Sequence, residues 1–226
     1  MENKIILNNL EELDYGGREA YNSLRTNLQF CGADLKVFLF TSCSPGEGKS
    51  TVSFELARSM AENGKKVIFI DADLRKSVTL SRYKAQSSNK GIRGLSHYLS
   101  KQADLEEIIC ETNINGLSMI LTGPLSPNPT ELLNGELFSL LIKYLRLEYD
   151  AVLIDSPPLG SVIDAAVIAP QCDGTILIVE SNITSHRAAT DVKKQLEVTG
   201  CRILGVVLNK IEPENRKYYK YYGEYK

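Results

Sequence analysis

The chain has 226 residues, with 26 Lys plus Arg against 28 Asp plus Glu, for a formal net charge of −2. That length suits one large α/β domain or two small ones, and 43% hydrophobic with 24% charged residues describes an ordinary globular chain whose core is not limited by size. The charge balance argues against a protein held to duplex DNA by its overall charge, and no apolar run approaches the ~18 residues of a membrane-spanning helix.

Residues 1–13 carry Glu2, Glu11 and Glu12 and no long apolar stretch, so they do not read as a secretory signal. A helix is expected over 18–30, with Ala20, Leu24 and Leu28 on one face and Arg18, Asn22, Arg25 and Gln29 on another. Such a helix ahead of a sheet covers an edge or packs on a neighbouring subunit. A strand over 37–40 leads through a glycine turn to a helix over 51–62. A strand over 67–70 follows, then a polar, weakly periodic loop over 77–90. After a strand at 117–121, Ser126-Pro127-Asn128-Pro129 forms a stiff loop. A helix over 130–147 and strands at 151–154 and 175–179 come next. The helix over 186–199 has Ala188, Ala189, Val192 and Leu196 on one face and stops at Gly200. The last strand spans 203–208. Several strands are apolar on both faces, as a buried parallel sheet requires. Alternating strands and helices predict an α/β fold: a doubly wound, mostly parallel sheet flanked by helices. One domain is expected over 1–215, followed by a flexible tail at 216–226.

Five cysteines (Cys31, Cys43, Cys110, Cys172 and Cys201) lie far apart with no Cys-x-x-Cys. That spacing argues against zinc, iron–sulfur and disulfide frameworks and for reduced thiols in a cytoplasm. His97 and His186, the only histidines, sit in no motif and read as structural or surface residues.

The chemistry concentrates in three clusters. Ser44-Pro45-Gly46-Glu47-Gly48-Lys49-Ser50-Thr51 follows a strand and precedes a helix, the context of a P-loop. Its glycines let backbone N–H groups turn toward phosphate oxygens, and the helix N-terminus adds positive potential. Lys49 would reach the β- and γ-phosphates, the Ser50 hydroxyl would ligate Mg²⁺, and Thr51 would bond the α-phosphate. Cys43 stands where the strict pattern begins with Gly. Asp71 and Asp73 follow one strand and Asp155 another. In open α/β sheets ligands bind at the carboxyl ends of strands, so all three clusters are expected on one rim. Asp155 suits a metal that bridges phosphates, directly or through water. Asp71 is the first choice for positioning or deprotonating an acceptor hydroxyl, and a further metal-ligand candidate, with Asp73 in support. A single Asp after a strand is more often a turn residue; three beside a P-loop are not so easily set aside. Asn209, after the last strand, would meet the base edge of a nucleotide or simply begin a polar loop.

Of 11 tyrosines, five lie in the last nine residues: Tyr218, Tyr219, Tyr221, Tyr222 and Tyr225. Three readings compete: a phosphoacceptor segment, a stacking platform for single-stranded nucleic acid aided by Arg216, Lys217, Lys220 and Lys226, or an inert tail. Glu212, Glu214 and Glu224 offset most of the tail's positive charge. Each added phosphate would change that charge by about 1.5–2 units.

Together the P-loop, Asp71-Ala72-Asp73-Leu74-Arg75, Asp155-Ser156-Pro157-Pro158 and the tyrosine tail resemble the bacterial tyrosine kinases of the CpsD/CapB type, the cytoplasmic kinases of Gram-positive capsule synthesis. Pro127-Asn128-Pro129-Thr130-Glu131-Leu132 and Gly205-Val206-Val207-Leu208-Asn209-Lys210 also look like family signatures. The resemblance implies a P-loop NTPase fold, ATP and Mg²⁺, and transfer of the γ-phosphate to tyrosines of a neighbour's tail. It also implies a homo-oligomeric ring, often an octamer, a transmembrane activator that holds the kinase at the inner face of the membrane, and a phosphotyrosine phosphatase. No nucleic acid is implied. The family's N-terminal oligomerisation helix reads Glu-x-x-Arg-x-x-Arg-Thr-Asn. Glu19, Arg25, Thr26 and Asn27 match it, whereas Asn22 replaces the first Arg and would weaken an intersubunit ion pair. Arg75 is assigned to an intersubunit carboxylate or phosphate.

The rival on the same fold is an ATPase switch of the ParA/MinD kind. Those carry an extra lysine early in the P-loop, where this chain has Ser44, and MinD-like proteins end in an amphipathic membrane helix, which the tail is not. A nucleotide-gated adaptor without tyrosine transfer would leave the five clustered tyrosines unexplained.

Overall fold

The computed structural model describes residues 3–87 and 91–211. In chain order the elements are β1 (Asn3–Ile6), α1 (Tyr15–Cys31), β2 (Val37–Ser42), α2 (Lys49–Glu62), β3 (Val67–Asp71), α3 (Thr79–Arg82), β4 (Gln86–Ser87), α4 (Leu95–Leu99) and α5 (Leu105–Ile108). They continue with β5 (Ile109–Thr112), β6 (Leu117–Ile120), α6 (Pro129–Leu133), α7 (Glu136–Glu148), β7 (Ala151–Asp155), α8 (Asp164–Ile168), a short 3₁₀ turn (Ala169–Gln171), β8 (Gly174–Glu180), α9 (His186–Val198) and β9 (Ile203–Asn209).

The strands form one sheet of nine among the described residues, in the order β4-β1-β5-β6-β3-β7-β2-β8-β9. From β6 to β9 every neighbouring pair is parallel. The β5–β6 and β1–β4 pairs are antiparallel. Strands β2, β3 and β7 are buried on both faces, which is why they read as unbroken apolar runs. One core layer joins Ile68, Ile154 and Leu177 of the sheet to Phe138 and Leu141 of α7 and to Leu196 of α9. The opposite layer joins Phe40, Phe69 and Leu153 to Phe54 and Leu56 of α2 and to Leu28 of α1. The doubly wound, mostly parallel α/β fold expected from the sequence is the fold observed.

Three local expectations are corrected. The helix expected over 130–147 is two helices. Asn134 ends α6, and Gly135 stands at φ −75°, ψ 161° before α7 begins; an Asn-Gly step breaks the hydrogen-bond ladder. The loop expected over 77–90 contains α3 and β4, while residues 88–90 lie outside the described part. Strands β1 and β5 were not foreseen, because Asn3-Lys4-Ile5-Ile6 and Ile109-Cys110-Glu111-Thr112 are short and carry polar residues within the run.

Helix α1 is capped by Asp14, whose carboxylate accepts the Gly17 N–H at 2.6 Å. Leu28 is buried, and Tyr21 and Leu24 pack on the same core layer. The helix therefore lies along α2 on the sheet's face. The tail, residues 216–226 with its five tyrosines, lies outside the described residues.

Candidate functional site

The site is built where β3, β7, β2 and β8 end side by side. After β2 the chain turns back through Gly46 at φ 88° and Gly48 at φ 91°, conformations that only glycine adopts without strain. Gly48 is needed for a second reason: a Cβ there would stand 2.1 Å from the Asn209 amide nitrogen. Helix α2 begins at the next residue, so Lys49 and Ser50 occupy its first turn, where unpaired N–H groups and the helix dipole favour an anion.

Glu47 shapes this loop from inside. Its side chain is 2% exposed. Oε2 accepts the N–H groups of Cys43 at 2.7 Å and Ser44 at 3.0 Å, and Oε1 accepts the Thr184 hydroxyl. Those two N–H groups are thus committed within the protein, which leaves the phosphate cradle to the residues from Gly46 onward. Asn209 donates its side-chain N–H to the Glu47 carbonyl at 2.9 Å. Through this bond it holds the loop. Cys43 is buried, and burial first, then the nearby Glu47, raise its thiol to about 11; it packs against the 158–160 turn, where a Cβ on Gly160 would stand 2.1 Å from the Cys43 carbonyl oxygen.

Two carboxylates face Lys49, and a third, Asp71, stands beside them. Its ammonium lies 3.6 Å from Asp155 Oδ1 and 4.0 Å from Asp73 Oδ2 and donates to Ser50 Oγ at 3.2 Å. Asp71 and Asp155 are paired in register across β3 and β7 and both are buried. Asp71 accepts the Ser77 hydroxyl at 2.5 Å and the Asp73 N–H at 3.3 Å. Burial pushes its carboxyl above the usual range, against those hydrogen bonds. Asp73 closes a turn by accepting the N–H groups of Arg75 and Lys76. Asp155 is raised to about 6: burial is the largest cause, the negative charges of Asp71 and Asp73 add to it, and Lys49 and Ser50 oppose it.

Asp155 Oδ1 is buried with no hydrogen-bond partner, and it lies on the side of Lys49 and the Ser50 hydroxyl. An orphaned carboxylate oxygen beside a serine hydroxyl fits a hard divalent cation. Among the described residues no three His, Cys, Asp or Glu side chains gather as a metal set. A cation here would complete its shell with phosphate oxygens and water, which is how Mg²⁺ is usually held. The cleft above these groups encloses about 330 Å³ and is lined by Gly46, Lys49, Ser50, Ser77, Arg82 and Val162 among others.

The residues assigned to oligomerisation lie away from this cleft or at its margin. Glu19 is exposed on α1, with Asn22 Nδ2 3.5 Å from its carboxylate. Arg25 donates to the Ser59 carbonyl at 3.1 Å and hydroxyl at 3.2 Å on α2. Arg75, assigned to an intersubunit partner, meets a carboxylate of its own chain. Its Nε and Nη2 donate to Asp164 at 2.6 and 3.0 Å, and Thr130 donates to the same carboxylate at 2.6 Å. Asp164, Thr184, Ser77 and Arg82 were not anticipated. Each acts across at least five residues of sequence separation, and none sits in a motif. The assigned phosphoacceptors Tyr218, Tyr219, Tyr221, Tyr222 and Tyr225 lie outside the described residues.

Residues 36–199 match the AAA domain family. The tyrosine-protein kinase CpsD of Streptococcus agalactiae is 42% identical over 207 residues, 92% of this chain and 89% of that protein. The tyrosine-protein kinase CpsD of Streptococcus pneumoniae is 44% identical over 209 residues, 92% of this chain and 91% of that protein. Among solved structures, the kinase domain of the Escherichia coli tyrosine kinase ETK superposes with a TM-score of 0.81 at 31% identity, covering 86% of this chain and 76% of that one. With likeness along almost the whole chain and a matching rim of phosphate loop and carboxylates, the chain belongs to the bacterial tyrosine-protein kinases of the CpsD/CapB type.

Proposed function

We propose that the chain transfers the γ-phosphoryl group of ATP to tyrosine hydroxyls, first those of the C-terminal cluster of a neighbouring copy. The observation that carries this reading is the convergence of Lys49, Ser50, Asp71, Asp73 and Asp155 on one rim, in a chain that ends in five clustered tyrosines.

The N–H groups from Gly46 to Thr51 and the start of α2 hold the phosphate chain. Lys49 compensates charge on the transferring group. Ser50 and Asp155 would hold Mg²⁺, with Asp71 a further candidate ligand. Bound there, Mg²⁺ would draw charge from the β- and γ-phosphate oxygens. Asp71 orients the tyrosine hydroxyl and takes its proton as the Oη–P bond forms and the P–O bond to ADP breaks. Burial suits Asp71 to that task, since a raised pKa makes its carboxylate a stronger base. Asp73 keeps Lys49 in place.

The same reading includes a homo-oligomeric ring that brings one chain's tail to the next chain's site. A transmembrane activator would hold the kinase at the inner face of the membrane, and a phosphotyrosine phosphatase would remove the mark. The output is control of capsular polysaccharide synthesis and export. The names of the curated relatives support the kinase reading on which this rests.

The test is intact-mass and peptide mass spectrometry after incubation with Mg·ATP. It is run alone and with the cytoplasmic segment of the activator, beside Lys49→Met. Phosphate on Tyr218, Tyr219, Tyr221, Tyr222 or Tyr225, absent in the variant, is expected. ATP hydrolysis with no modified tyrosine, even with the activator segment, would replace this reading with an ATPase switch.

A further inference from the structure

We infer that Arg82 is a phosphate-binding residue supplied by the chain's own α3, which grips the phosphates that are not transferred and thereby sets how tightly ADP is retained. The inference rests on the nucleotide reading above and adds a residue that no P-loop pattern contains.

Arg82 ends α3 and lines the cleft together with Lys49, Ser50 and Asp155. Its Nη1 donates to the hydroxyl of Thr51, one residue beyond Ser50. Lys49 and Ser50 serve the β- and γ-phosphates and the metal, so Thr51 marks the α-phosphate side of the loop. The backbone beneath Arg82 is held firmly. The Arg82 N–H donates to the Val78 carbonyl at 2.9 Å, and the Arg82 carbonyl accepts from Asn9 Nδ2 at 2.9 Å. The carbonyl of Tyr83 accepts the N–H groups of Asn8 and Asn9 at 3.0 and 3.2 Å. The Tyr83 ring is buried against Phe54 of α2, with centroids 4.0 Å apart. An anchored backbone that projects a long cation into a cleft loses little entropy when that cation meets a ligand.

The charges agree with this assignment. Lys49 is matched by Asp73 and Asp155 and Arg75 by Asp164. Among the described residues Arg82 has no ion-pair partner, and its guanidinium donates to a neutral hydroxyl. A guanidinium exchanging one hydroxyl for phosphate oxygens gains charge-assisted, two-point hydrogen bonding.

The experiment is calorimetric titration of Mg·ADP and Mg·ATP into the full chain as wild type, Arg82→Ala and Arg82→Lys, with melting curves of each, with and without Mg·ADP. Arg82→Ala is expected to weaken both nucleotides equally, by about tenfold, with Arg82→Lys between it and wild type. The melting temperature of the nucleotide-free protein should stay put while the rise caused by Mg·ADP shrinks. Three results would overturn the inference: unchanged ADP affinity, a loss confined to ATP, or a lower melting point without nucleotide and an undiminished ADP-induced rise. The last would make Arg82 a structural anchor for α3. Failure of the wild type to bind either nucleotide would sink the underlying reading and this one with it.

Discussion

The Lys49 ammonium, 3.6 Å from Asp155 Oδ1 and 4.0 Å from Asp73 Oδ2, is the cation that lets buried carboxylates coexist at the end of the sheet. Replacing it with Met removes that compensation and leaves Asp71, Asp73 and Asp155 facing one another. Loss of phosphate transfer is expected, together with a loss of about 1–3 kcal/mol of stability at neutral pH that shrinks as the carboxylates take up protons. Denaturation of Lys49→Met and wild type at pH 5 and pH 8 checks this. An equal deficit at both would contradict it.

Asp155 should set an acid limit on activity. Its carboxyl is raised to about 6, so below that pH it holds a proton and is a poor metal ligand. Activity at fixed Mg²⁺ should fall through an acid limb centred near pH 6, and more Mg²⁺ should move the limb to lower pH. Stability runs the other way. A carboxyl whose folded pKa lies above its unfolded one favours the folded state most below the unfolded value, and that contribution is lost as pH rises through about 6. The enzyme should therefore lose activity in mild acid while remaining folded, which paired rate and circular-dichroism profiles would show.

Glu55 carries a similar sign on the far side of α2. Its side chain is 3% exposed, Oε2 has no hydrogen-bond partner, and Arg58 Nη1 stands 3.6 Å away. Burial raises its carboxyl from 4.5 to about 7, with Glu11 and Glu62 adding to the rise and Arg58 opposing it. Wild type pays for a charged Glu55 increasingly between pH 4.5 and 7. Glu55→Gln should be more stable than wild type by about 2 kcal/mol at pH 8 and nearly equal to it at pH 4.5. A stability difference that does not change with pH would rule this out.

Arg75 and Asp164 form a two-point pair in which the carboxylate is fully buried and the guanidinium about a third exposed. Burial acts to raise Asp164, but the hydrogen bonds from Arg75 and Thr130 and the charge of Arg75 outweigh it and hold it below the usual range. Arg75→Ala should cost about 2 kcal/mol at neutral pH, at the low end for a broken buried pair because solvent reaches one partner. The pair's contribution is present above the ordinary carboxylate pKa and is lost as pH falls, so the deficit should narrow below pH 4. Chemical denaturation at pH 7 and pH 3.5 gives the comparison.

The centre of the sheet was legible because its strands bury both faces. Val37, Phe38, Leu39 and Phe40 need no alternation to be recognised, and the glycine turn after them has a pattern tied to phosphate geometry. The rim of Asp71, Asp73 and Asp155 was legible for the same reason, since each follows an apolar run. The margins were not. Strand β1 earns its place by pairing with Thr112 and Cys110, more than a hundred residues away. The use of Asn209 depends on a bond to Glu47 across 162 residues. Asp164 looks like a stray acid in an apolar stretch until Arg75 and Thr130 are brought to it. Contacts made by the folded topology leave no local spacing to read.

The order of the strands has a consequence for how the molecule breathes. The phosphate loop hangs from β2, and its carboxylates from β3 and β7, all of them inner strands, while β9 at one margin leaves Val206 and Leu208 more than half exposed. Amide hydrogens of β9 and β4 should exchange with solvent long before those of β2, β3 and β7. The loop would then keep its shape while the margins of the sheet open and close around it.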